Sequence, residues 1–220
     1  MEYKQILKQW SPIVAALVLF IVINMFYFSP QFEGKVLAQH DILQYKGSVE
    51  DIMQHREKYG EDPQWEGNMF SGMPAYLINV QYEGTIIKTL SRAFYFLGQP
   101  ASLIFIAMSM FFFMLCCMRF NPWLAIVPSL AYGFSTYFIL IIGAGHITKI
   151  WALMYAPLMM GGAYYTLRRN LWVGGALTAL FTSLEIGANH PQITYYFLLA
   201  MVALWLSEGV YAIKEKTLKD

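Results

Sequence analysis

Residues 101–118 read ASLIFIAMSMFFFMLCCM, a run without a single charge. A helix needs roughly 20 apolar residues, within a range of about 17–25, to cross the hydrocarbon of a bilayer. A helix apolar on every face has to meet lipid or other helices all round. Working outward from this run, five more stretches approach the same length: 12–28, 123–142, 150–167, 171–186 and 193–213. The stretch 171–186 is the shortest and is expected to stand nearly upright or to break near its outer end, as helices lining a cavity do. The expected fold is all-α, a polytopic membrane domain over residues 1–220 with about six transmembrane helices.

Composition points the same way. The chain is 57% hydrophobic and 13% charged, with a mean hydropathy of +0.43, well beyond ordinary soluble usage. A net charge of +1 gives no basic excess and argues against a nucleic-acid partner. Cys116 and Cys117 are adjacent, so on a helix they point apart, and they indicate neither a disulfide framework nor a zinc site. The stretch 12–28 follows Lys4 and Lys8 in the charge order of a signal peptide, but it is long and has no convincing small-x-small cleavage site. It reads as a retained signal anchor.

Lysines and arginines near short connections set orientation. Leaving aside the long loop 31–100, which escapes the rule, under six spans Lys4, Lys8, Arg119, Arg168, Arg169, Lys214, Lys216 and Lys219 share one side, and only Lys149 falls opposite. Both ends are then cytoplasmic, and 31–100, 143–149 and 187–192 face outward. In the large outer loop 31–100, Ile42, Tyr45, Val49, Ile52 and Met53 recur at roughly helical spacing behind Asp41. That pattern predicts an amphipathic surface helix over about 42–59 with Asp41 at its N-cap. Residues 68–74 read as a turn-rich loop.

Polar residues at membrane depth cost about 2.5–3.5 kcal/mol each on insertion scales, so those retained near span ends draw attention. On the outer side these are Asp41, His146, Lys149, Glu185, Asn189, His190 and Gln192. Spans two, four and six would present their N-termini to the same side, where unpaired N–H groups and partial positive charge suit a phosphate. Lys149 stands at the start of span four with His146 one turn earlier, and Pro191 fits the first turn of span six. Each residue also has a plainer reading: Asp41 as a helix cap, Lys149 snorkelling to the interface, Glu185 paired with Lys149, and the histidines bonded to nearby loops. Two histidines without cysteine partners or regular ligand spacing make a weak metal signal. The Met- and Phe-rich run 108–118 reads as lipid-facing or packing surface.

Four strings occur together: Gln39-His40-Asp41-Ile42-Leu43-Gln44-Tyr45, residues 65–74 with Phe70-Ser71-Gly72-Met73-Pro74, Gly145-His146, and Asn189-His190-Pro191-Gln192. Their order and placement resemble the YfhO-like bacterial membrane proteins, which are regarded as having the GT-C glycosyltransferase architecture. The resemblance implies transfer of a sugar from a polyprenyl-phosphate donor to an envelope glycan, glycolipid or protein acceptor, at the outer face of the bacterial cytoplasmic membrane. It implies Asp41 as general base, His146, Lys149 and His190 stabilising the departing lipid phosphate, and Gln44, Tyr45 and Gln192 orienting sugar or phosphate. Glu185 joins them as a substrate-binding candidate. Neither a metal nor another cofactor is expected. Family members have more spans and usually a large outer C-terminal domain, so the chain resembles their N-terminal part. Two other readings remain open: half of a transporter or flippase, with Glu185, Lys149 and the histidines lining a path, and a non-catalytic scaffold whose outer loop binds an envelope protein.

Overall fold

The computed structural model describes residues 2–79 and 86–215. Lys216 and Lys219 of the positive side lie outside the described residues. The elements run α1 Glu2–Tyr27, α2 Ser29–Phe32, α3 His40–Ser48, α4 Glu50–Tyr59, β1 Trp65–Glu66, β2 Met73–Pro74, a 3₁₀ turn Ala75–Leu77, α5 Ile86–Ala93, α6 Ala101–Cys117, α7 Pro122–Gly133, α8 Thr136–Ala144, α9 Ile147–Arg168, α10 Leu171–Gly187 and α11 Pro191–Lys214. Short polar signals start several of them. The Asn121 side chain accepts from Trp123 N–H ahead of Pro122 at the head of α7, the Asn170 side chain accepts from Val173 N–H at the head of α10, and Pro191 opens α11, each filling or sparing an orphan donor of a first turn.

Among the described residues, three segments are long and apolar enough to cross a membrane: Trp10–Tyr27, Pro122–Ala144 and Pro191–Lys214. This is a mostly helical protein of membrane type. Helices α6 and α10, 17 residues each, are apolar but shorter. Helix α9 is 22 residues long, and Lys149, Pro157, Gly161, Gly162 and three tyrosines dilute its hydropathy. It can carry them because it is the buried centre, packed against α6, α10, α11 and α8. The outermost α11 leaves Leu198, Val202, Leu206 and Val210 exposed, a face that only lipid or another helix would cover.

Gly161 and Gly162 explain how α9 takes a close neighbour on each side. A Cβ on Gly161 would stand 2.8 Å from the Met114 Cα of α6, and one on Gly162 would stand 2.8 Å from the Thr178 backbone nitrogen of α10. Small residues permit such backbone approach where lipid removes the hydrophobic drive between helices. The Met- and Phe-rich run is packing surface: Met108, Met110, Phe112 and Leu115 are in the core.

Two expectations are corrected. The break falls in the third apolar stretch and not in 171–186, which is the continuous helix α10. Helices α7 and α8 separate at Phe134 and Ser135, the latter in extended backbone, because Gly133, Ser135 and Thr136 are weak helix formers in succession. The outer helix is likewise two helices, α3 and α4, joined at Val49. Val49 and Ile52 are buried while Leu43, Tyr45 and Met53 are exposed. Beyond α4, β1 and β2 pair antiparallel, Trp65 opposite Pro74, and the turn between them runs through positive φ at Phe70, Ser71 and Gly72.

Candidate functional site

Gly145 ends α8 in the left-handed region at φ +100, its N–H bonded back to Ile141 and Ile142 carbonyls, the usual glycine stop of a helix. A Cβ there would sit 3.2 Å from Gln39 Cβ and 3.3 Å from Asp41 Cβ, so the glycine lets the start of α3 lie directly on the α8–α9 corner. Gln39 Nε2 fastens that contact by donating to the Ile142 carbonyl at 2.5 Å. Asp41 consequently falls in the first turn of α3 and the N-cap position belongs to Gln39, whose side chain makes no cap bond. This corrects the capping assignment.

The Asp41 carboxylate is turned to His146 instead, with Oδ2 2.8 Å from the imidazole Nδ1. The contact is an ion pair when the imidazole is protonated. With Nδ1 facing the carboxylate, Nε2 is the ring nitrogen left to accept a proton, the arrangement that a general base requires. Three residues on, Lys149 is half-buried in the first turn of α9 and forms no ion pair among the described residues.

His190, just before α11, completes the group. Its Nδ1 is buried without a partner. Burial foremost holds its imidazole below the ordinary value of 6.5; its own backbone hydrogen bond opposes this, and the charges of Lys149 and of protonated His146 add smaller downward pushes. Lys149 and His146 are near enough to His190 to act on it through charge. His190 joins them as a neutral imidazole at neutral pH, not as a second cation.

Glu185 is fully buried. Thr194 Oγ1 donates to its Oε1 at 3.0 Å, while Oε2 has no partner. Its partner is thus Thr194 and not Lys149. Close approach of Gly162 to Thr178, and of Thr166 to Gly174, fixes an antiparallel α9–α10 register that sets Glu185 level with Tyr155. Tyr155 OH is buried and unpartnered too, and the buried Tyr95 OH and Trp151 Nε1 have each other as neighbours, their rings 5.8 Å apart. A band of underused polar atoms therefore lies inward of the histidines.

Of the remaining candidates, Gln44 bonds the His40 ring at 2.9 Å, Gln192 Nε2 donates to Tyr196 OH at 3.2 Å, and Tyr45 is exposed on α3. None of these contacts joins the Asp41–His146 pair. Among the described residues, no group of three or more His, Cys, Asp or Glu side chains is placed to hold a metal. Reading of the sequence missed Gln39, Thr194 and Asn24, the last fully buried in α1 with Nδ2 donating to the Phe20 carbonyl at 2.8 Å. Only Asn24 had a signal of its own, a lone amide inside an apolar run. Comparison with protein-family models, curated proteins and solved structures gives no match to this chain.

Proposed function

We propose that this chain is a GT-C-type membrane glycosyltransferase module with six transmembrane helices, transferring a sugar from a polyprenyl-phosphate donor to an envelope glycan, glycolipid or protein acceptor. The observation that carries the reading is the Asp41–His146 contact at 2.8 Å beside Lys149 and His190. One helix end so equipped has a proton acceptor and an anion site together. The acceptor hydroxyl would attack the anomeric carbon as the sugar–phosphate bond breaks. Its proton would pass to the Asp41–His146 pair, which acts as a unit. The departing phosphate would take its electron pair towards Lys149 and the first-turn N–H groups of α9, where charge developing in the transition state is met by donors already in place. Inversion at the anomeric carbon follows from a single attack. In this reading the site faces away from the cytoplasm of a bacterial inner membrane, with Arg119, Arg168 and Arg169 on the inner side.

The test is transfer by the full chain, reconstituted in vesicles with a polyprenyl-phosphate sugar. Asp41→Asn keeps the shape but not the proton affinity, and a rate loss of about 10²–10⁴ is expected. Unchanged transfer, or unchanged envelope glycans in cells carrying well-expressed Asp41→Asn, would remove the pair from the chemistry.

A second reading, half of a proton-coupled transporter, draws on one observation: Glu185 is wholly buried in α10 with Oε2 unpartnered, as residues of a proton path are. Vesicles that acidify with substrate uptake, and lose that coupling in Glu185→Gln, would favour it over the enzyme.

A further inference from the structure

Two hollows lie side by side beneath the strap of residues 33–39 that joins α2 to α3. One, of about 310 Å³, is walled by Tyr27, Phe28, Ile139, Ile142 and Gly143, the end of α1 and the outer half of α8. The other, of about 400 Å³, is walled by Gln31, Gln39, Gln99 and Ile147. Gln31, Lys35, Val36, Leu37 and Pro100 border both, so they form one cleft, apolar at one end and amide-lined at the other. Each lobe falls within the about 300–1,000 Å³ of small-molecule sites.

The two ends open onto different surroundings. The apolar lobe lies against Pro122–Ala144, one of the segments able to cross a membrane. Val36, 93% exposed on the rim, is an apolar side chain with nothing over it. The amide-lined lobe ends at Gln39 and Ile147, close in sequence to the paired residues: Ile147 is next to His146, and Gln39 is two residues before Asp41. Lys35 stands over both lobes, tied only to exposed Glu33 at 2.8 Å, and supplies a cation at the junction of the lobes.

From this we infer that the cleft under the 33–39 strap is the seat of the donor's lipid carrier. The first isoprenoid units lie between α1 and α8, and the phosphate lies under Lys35, pointing to His146. The inference rests on the proposed function for the identity of the lipid. The amphipathic division of the cleft and its cation argue for an anionic lipid of a single narrow chain: the apolar lobe has room for one chain, and the cation sits where apolar gives way to amide.

Gly143 supplies the test, because a Cβ there meets nothing within 4 Å. Gly143→Phe fills the apolar lobe without displacing a neighbour, and Gly143→Ala is its control. The full chain in lipid nanodiscs is titrated with a long-chain polyprenyl phosphate carrying a diazirine on its first isoprene units. Cross-links are expected on α8 and on Tyr27. Gly143→Phe should bind about tenfold more weakly, the loss of roughly two buried methylenes, and Gly143→Ala should bind like the native chain. Ile139→Trp, one turn earlier on the same face of α8, should weaken binding similarly. Polyprenol without phosphate should bind more weakly than its phosphate, and inorganic phosphate alone should not displace the label. Undiminished binding by both filling variants, or labels confined to α11, would overturn the inference. Equal competition by a diacyl phosphatidic acid would also overturn it, by making the cleft a general lipid seat. Binding that Gly143→Phe abolishes, in a chain that transfers no sugar, would sustain the cleft while sinking the proposed function. Transfer untouched by Gly143→Phe would do the reverse.

Discussion

Tyr132, near the end of α7, donates its hydroxyl proton to the Leu153 carbonyl of α9 at 2.8 Å. Four residues beyond Leu153 stands Pro157, inside α9, which has no N–H to give that carbonyl. A tyrosine from another helix thus satisfies the acceptor that the proline leaves open, and the interior of a membrane protein offers no water to do so.

Tyr132→Phe isolates this bond, since the ring keeps its stack on Phe111 at 4.5 Å and its edge contact with Phe138 at 5.2 Å. The unfolding free energy in detergent or bicelles should fall by about 1–2 kcal/mol, for one interhelical hydrogen bond lost and one buried carbonyl orphaned. In a Pro157→Ala background the helix recovers its own donor, and the same Tyr132→Phe change should cost less than half as much. Equal costs in both backgrounds would show that Tyr132 does not serve the proline's gap.

Gly145 carries the geometry of the outer site. Gly145→Ala would place a Cβ against Gln39, Ile42 and Asp41 at a φ of +100, at a backbone cost of about 1–2 kcal/mol. The first turn of α3 should lift from the α8–α9 corner, breaking the Asp41–His146 contact while the bundle remains folded. Nitrogen-15 NMR of the imidazoles is the check: native His146 should show Nδ1 protonated and Nε2 free, and the variant a mixture of tautomers. An unaltered His146 signal in Gly145→Ala would mean that the contact does not depend on the glycine.

Much of the helical frame is legible in the sequence because apolar run length and capping residues act locally. Asn121, Pro122, Asn170 and Pro191 start their helices where a reader would start them, and the apolar runs are found as helices. What escapes is set by contacts between distant residues. From spacing alone Asp41 reads as a cap, but it falls in the first turn of α3 and faces His146 at 2.8 Å. The α7–α8 break hides inside a uniformly apolar stretch, where Ser135 and Thr136 weigh little on any hydropathy measure. Of the outer cluster, the residue types and their common side are legible. The neutrality of His190 is not, because it comes from burial and from cations more than forty residues away in sequence.

That neutrality has a pH signature. A histidine held below its ordinary 6.5 by burial and by Lys149 and His146 binds fewer protons folded than unfolded. Stability is therefore whole above about 6.5 and declines as pH falls from there towards the folded value, where the unfolded chain takes up the proton first. The native chain should melt at a lower temperature at pH 5.5 than at pH 7.5, and His190→Gln should flatten part of that slope. Anionic ligand should act oppositely: phosphate beside the ring favours its charged form, so binding of a polyprenyl phosphate below pH 6.5 should take up a proton. Calorimetry in two buffers of different ionisation enthalpy measures that uptake, and its absence in native protein would place the phosphate away from His190.

Glu185 offers the sharpest separation between a structural and a working carboxyl. Thr194 is the donor on Oε1, at 3.0 Å, and Oε2 has none, so a charged carboxylate here would be poorly compensated. Glu185→Gln removes that burden and keeps an oxygen for Thr194, and the variant should be as stable as the native chain or more so. Thr194→Val takes away the donor and should cost about 1–3 kcal/mol, the penalty of an unsatisfied buried acceptor. In a Glu185→Leu background the valine has no acceptor to strand, and its cost should nearly vanish, so the two sites couple in a double-mutant cycle. An additive cycle would mean that Thr194 acts elsewhere, through its second contact with the His190 carbonyl at 3.3 Å. If the cycle couples and Glu185→Gln nonetheless halts sugar transfer while remaining folded, the carboxyl is retained for chemistry against the demands of stability. The polar band formed with Tyr155, Trp151 and Tyr95 then belongs to the substrate.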